Sequence, residues 1–81
     1  MSTRNRLINV FRESLELPET IDISNLNYQD TERWDSVGHL TLVAAIETEF
    51  DVMLETNQVI EMSSFSKALE ILNALGIDVN A

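Results

Sequence analysis

Ser36 carries the most chemical interest in this chain. It stands in the run Trp34-Asp35-Ser36-Val37-Gly38-His39-Leu40, where a long loop meets an amphipathic helix. The chain has no cysteine, and its two glycines cannot build a phosphate-cradling loop. A hydroxyl in this place has four possible uses. It can cap the helix, its oxygen accepting a bond from an orphan backbone N–H. It can act as a nucleophile, with His39 three residues on and on a shared helix face and Asp35 beside it. That use also needs an oxyanion hole and a substrate cleft, and the run is not the glycine-flanked elbow of the serine hydrolases. It can be phosphorylated, since a helix N-terminus favours phosphate, although Asp35 would repel it. Finally, it can anchor a prosthetic arm through a phosphodiester. The helix dipole would stabilise that charge by about 0.5 kcal/mol at an exposed site, and the arm would bring the thiol that the polypeptide lacks.

The other polar side chains suggest less. His39 is the one histidine, and its spacing from Ser36 makes no metal site. A packed or hydrogen-bonded ring is the simpler reading. Glu47, Glu49, Asp51 and Glu55 crowd together but lack the spacing and the glycine of a calcium loop. They read as a solvated or partner-binding face, and no metal is expected.

The positioning elements are helices. Leu7, Val10, Phe11 and Leu15 form one stripe, which predicts a helix over residues 3–16. Ser2 or Thr3 would cap it, and Pro18 would end it. Residues 17–35 have no sustained period, and a loop this long in a small domain is often functional. Ile23, Leu26 and Tyr28 are expected to drop into the core, and Trp34 to pack against the bundle and fix the loop's exit. Residues 36–50 give the strongest helix signal, with Asp35 at the cap. Leu42, Val43, Ile46 and Phe50 make its buried stripe, with His39 one turn earlier. A second line, Val37, Leu40, Thr41, Ala44 and Thr48, is also uncharged, which is more apolar width than one core-facing helix needs. It faces either another helix or a partner. Residues 56–61 read as a short helix. Residues 64–75 make the last one, with Phe65, Ala68, Leu69, Leu72 and Leu75 inward, Ser63 or Ser64 as cap and Gly76 as stop. Met53, Leu54, Val59, Ile60 and Met62 read as ordinary core, or else as the mouth of an inner cavity. The expected fold is all-α: a small antiparallel four-helix bundle with three longer helices, one short helix and a long first loop.

Composition narrows the function. Eighty-one residues make a single domain, 1–81, too small to surround a substrate easily. Fourteen acids against five bases give a net charge of −9, which argues against nucleic acid, since phosphate binding needs clustered Lys and Arg. The excess of acid favours partners with basic patches, met through electrostatic steering, or serves solubility alone. No stretch approaches the ~20 apolar residues of a membrane span, and the N-terminus is not a signal peptide. A cytoplasmic monomer, without membrane insertion, is expected.

The run Asp35-Ser36-Val37, the helix ending Ile46-Glu47-Thr48-Glu49-Phe50, the acidity and the helix order together resemble the acyl carrier proteins over essentially the whole chain. The Asp-Ser-Leu signature of that family stands here as Asp35-Ser36-Val37. The resemblance implies that Ser36 carries 4′-phosphopantetheine, transferred from coenzyme A by a phosphopantetheinyl transferase. The arm's thiol would hold acyl intermediates as thioesters for delivery to acyl-transferring or synthase enzymes with basic docking patches. It implies a carrier and not an enzyme. Asp35, Val37, Leu40, Glu47, Glu49 and Asp51 would form the recognition surface. Gly38, His39 and Thr41 replace the acids that many fatty-acid carriers place after the modified serine. The run from Trp34 to Leu40 is more similar to stand-alone carriers of polyketide, hybrid peptide or sugar-modification pathways. The reading from a different class is an unmodified, acidic interaction module that binds a basic partner through helix 36–50.

Overall fold

Leu7, Val10 and Phe11 lie on one face of the first helix, α1 (Thr3–Ser14), and all three are buried. The chain is seen here in a computed structural model that describes residues 2–80. Three further helices follow: α2 (Ser36–Phe50), α3 (Thr56–Glu61) and α4 (Phe65–Ala74). Among the described residues there is no strand, only an isolated bridge between Asn27 and Ser64. The domain is therefore all-helical, with three longer helices and one short one. One core collects the stripes, with Leu42, Val43, Ile46 and Phe50 from α2 and Phe65, Ala68, Ile71 and Leu72 from α4. Each large side chain removed from water in this way contributes about 1.5–3 kcal/mol.

The helix starts follow the expected chemistry. The Asn5 N–H donates to the Ser2 hydroxyl at 3.1 Å, and the Lys67 N–H donates to the Ser64 hydroxyl at 3.0 Å. α2 and α3 span the expected residues. α1 does not run to residue 16, and Pro18 is not what ends it. Glu16 turns left-handed at φ 53°, and the Leu17 N–H returns to the Arg12 carbonyl at 2.9 Å. That is a Schellman closure, with glutamate where glycine is the usual residue. α2 closes the same way through Asp51 at φ 53°, and α4 through Gly76 at φ 93°. In α4, Ile71 is buried while Leu69 and Leu75 are only half-buried, so the inward face is rotated from the expected one.

The long loop is ordered by the core and by its own backbone. A single 3-10 turn, Ile23–Asn25, buries Ile23, and Leu26 is buried behind it. Tyr28 reaches only a half-buried position. The Tyr28 N–H donates to the Ser63 carbonyl at 2.8 Å, and the Phe65 N–H donates to the Leu26 carbonyl at 3.0 Å. Irregular backbone buried in this way must have its polar groups paired, and Ser63, between α3 and α4, and Phe65, at the start of α4, supply the partners. At the far end of the molecule, Arg6 joins the start of α1 to the end of α2. Its guanidinium donates to the Glu49 carboxylate and carbonyl, both at 2.9 Å, and lies 4.6 Å from the centre of the Phe50 ring. The carbonyl is one of those that a helix C-terminus leaves without an internal donor.

Candidate functional site

Asp35 organises the first turn of α2. Its carboxylate accepts from the Gly38 N–H at 2.8 Å, and its carbonyl accepts from the His39 N–H, also at 2.8 Å. Asp35 is therefore the cap, as expected, and Ser36 is left free of that task. Ser36 is exposed, and its hydroxyl has no partner among the described residues. The Ser36 and Val37 N–H groups likewise have no acceptor among the described residues, so the helix presents an open, partially positive end beside the hydroxyl. Asp35→Ala is expected to cost about 1 kcal/mol by losing the cap, whereas Asp35→Asn should keep most of that stability. Urea unfolding followed by far-UV circular dichroism checks the pair.

Three features hold this corner in place. Trp34 is fully buried immediately before the cap. Its ring meets Phe11 edge-on at 5.3 Å and Tyr28 at 5.9 Å, and lies side by side and nearly coplanar with the His39 ring, their centres 6.2 Å apart. Its indole N–H donates to His39 Nδ1 at 2.9 Å. Gly38 then lets the loop backbone lie directly on α2: a Cβ there would collide with the Arg33 carbonyl oxygen and press on Leu15. Gly38 is the residue that composition and spacing left without a structural task. Its role comes from loop backbone five residues earlier in the chain, which local pattern does not register.

His39 does not face Ser36. One ring nitrogen receives the Trp34 indole N–H, and the other lies 2.7 Å from the Val59 carbonyl. Both nitrogens are thus engaged, and neither is bonded to the Ser36 hydroxyl, which a serine nucleophile would require of its base.

The surface beside Ser36 is apolar. Val37 and Leu40 on α2 are 72% and 65% exposed, and Ile60 on α3 is 75% exposed. The second line of α2, including Thr41, Ala44 and Thr48, is exposed as well, so no other helix covers it. Of the residues read as ordinary core between α2 and α4, Met53 and Ile60 lie outside, Leu54 and Val59 are half-buried, and Met62 alone is buried. A groove of about 320 Å³ borders the start of α2 and is lined by Glu16, Arg33, Asp35, Val37 and Thr41, among others. A second cleft, of about 240 Å³, lies between Tyr28, His39, Val59, Ile60, Met62 and Ser63.

The acids differ in how they are used. Asp35 and Asp51 are exposed. Glu47 accepts the Leu54 N–H at 2.9 Å in the turn after α2, and Glu49 pairs with Arg6 of α1, so both of these carboxylates also serve the chain's own structure. Glu16 and Arg33 make an exposed ion pair at 2.7 Å across the rim of the groove, worth less than about 1 kcal/mol. Among the described residues, no group of three or more His, Cys, Asp or Glu could hold a metal ion. Among the same residues, no helix is long and apolar enough to cross a membrane. No family model matches the chain, and no curated protein or solved structure does.

Proposed function

We propose that this chain is an acyl carrier protein: a monomeric, cytoplasmic domain that holds acyl intermediates on a phosphopantetheine arm attached to Ser36 and passes them to other enzymes. The exposed, unpartnered hydroxyl of Ser36 carries this reading. A modifying enzyme can reach it without displacing any intrachain bond, and the adjoining N–H groups suit the phosphodiester that attachment creates. When bound, the arm supplies a thiol that holds an acyl group as a thioester. The polypeptide's part is to present Ser36 on a rigid helix end, through the Asp35 cap and the buried Trp34. Exposed Val37 and Leu40 offer partners apolar contact, and Asp35, Glu47, Glu49 and Asp51 bring them in by charge. Tethering then replaces diffusion of the cargo by a high local concentration. The fold belonging to this reading is an antiparallel four-helix bundle. It is supported by Arg6 at the start of α1 meeting Glu49 at the end of α2. The pathway would be a specialised one, or fatty-acid synthesis.

The apolar width of α2 favours a second reading, an unmodified module that binds a basic partner through the same helix. Intact mass spectrometry separates the two. After incubation with coenzyme A and a broad-specificity phosphopantetheinyl transferase, the wild-type chain should gain one arm, and Ser36→Ala none. An unchanged wild-type mass with several transferases would refute the carrier and leave the module.

A further inference from the structure

α3 is six residues long, and none of its residues is buried. A helix of that length does not persist in water by itself. Its internal support is local: a capping box in which Glu55 and Gln58 serve each other's backbone N–H groups. Among the described residues, one hydrogen bond ties a residue of α3 to another element, and it joins the His39 ring to the Val59 carbonyl at 2.7 Å. That carbonyl is an orphan of the helix end. Its regular partner, the Ser63 N–H, turns instead to the Glu61 carbonyl at 2.8 Å.

We infer that His39 is a latch that holds α3 against α2 and thereby sets the size of the cleft beneath α3. The indole N–H of Trp34 can only donate, so His39 Nδ1 must accept from it. The ring proton then sits on Nε2 and is donated to Val59. The imidazole lies nearly in the plane of the buried Trp34 indole, 16° from it, and meets the Tyr28 ring edge-on at 5.6 Å, which keeps it from turning away. His39 and Val59 both line the cleft of about 240 Å³ with Ile60, Met62 and Tyr28. With the latch closed, the cleft has room for a small apolar group, since a 150 Å³ apolar cavity already admits benzene. With the latch open, α3 swings on its flanking segments and uncovers buried Met62. His39 is a positioning residue, acting through α3 on whatever enters the cleft. The latch belongs to the polypeptide alone, so its test needs neither arm nor transferase.

Hydrogen exchange and nitrogen NMR on the unmodified chain test the latch. The wild type should show the His39 proton on Nε2, with Nδ1 as acceptor. In His39→Phe, which keeps an aromatic ring and loses both nitrogens, the Val59 and Met62 amides should exchange about tenfold faster. Amides in the middle of α1, α2 and α4 should change less than that. Trp34→Phe, which removes the donor behind the latch along with part of the buried ring, should move the same amides in the same direction and by more than those in the middle of α1, α2 and α4. A wild-type proton on Nδ1 would overturn the latch. So would α3 amides that are unprotected in the wild type, or that accelerate no more than those of the other helices. If His39→Phe does not fold, the wild-type spectrum and Trp34→Phe decide the matter.

Discussion

Trp34→Ala is expected to remove about 3–5 kcal/mol of folding stability. The indole is fully buried and meets three rings, those of Phe11, Tyr28 and His39. Truncation leaves a cavity where those edges met. It also strips the half-buried His39 of the donor to its Nδ1, a hydrogen bond worth about 1 kcal/mol. A domain typically has only about 5–15 kcal/mol to lose, and an 81-residue chain lies toward the low end. The variant should therefore be largely unfolded at 37 °C. Far-UV circular dichroism during urea unfolding measures it, because the wild-type fluorescence reporter, the single Trp, is gone. Trp34→Phe should recover more than half of the loss, because most of the ring contact remains. A variant as stable as the wild type would mean that the loop's exit is anchored elsewhere. The contrast with Ser36→Ala is informative: that change should leave stability within about 0.5 kcal/mol, as expected of an exposed side chain outside any cap.

Gly38→Ala is expected to cost about 1–3 kcal/mol, against the sign of helix propensity. Alanine in a helix interior gains up to about 1 kcal/mol over glycine, so propensity alone would call the change stabilising. The clash decides otherwise. The new Cβ meets the Arg33 carbonyl, which is backbone and cannot rotate away, and Leu15 closes the remaining side. The loop must back off as a unit, and Trp34 follows Arg33 directly in that loop. The same change should slow modification of Ser36 under the carrier reading, because the presented helix end and its cap move together. Thermal unfolding of Gly38→Ala beside an exposed control such as Ala44→Gly separates packing from propensity. A stabilised Gly38→Ala protein would show that the loop does not lie on the helix there.

Termination shows most clearly what local pattern reveals. Gly76 is legible as the stop of α4 because glycine reaches φ 93° without steric cost. Glu16 and Asp51 do the same work at φ 53° and carry no such mark. Their left-handed turns are imposed by the segments that must follow, Leu17 entering the core and Leu54 bonding back to Glu47. A similar limit applies to α4. Its apolar residues outnumber its buried positions, so whether Ile71 or Leu75 faces inward depends on the neighbouring surface. For the same reason Met53 and Ile60, apolar by type, stay outside.

Taken alone, the amino-acid order determined the helical class, the extents of α2 and α3, the caps at the starts of α1 and α4 to within one residue, and a hydroxyl at the start of α2 beside Asp35. These depend on residues within about four positions of one another, where side-chain period and capping act. That Asp35 caps and leaves Ser36 free is seen only in the structure. Tertiary structure alone decided that His39 serves Trp34 and Val59, that Gly38 admits the Arg33 backbone, and that Glu49 answers Arg6 across 43 residues. Those pairings exist only once the chain's path brings distant segments to van der Waals distance, and no local spacing encodes that path.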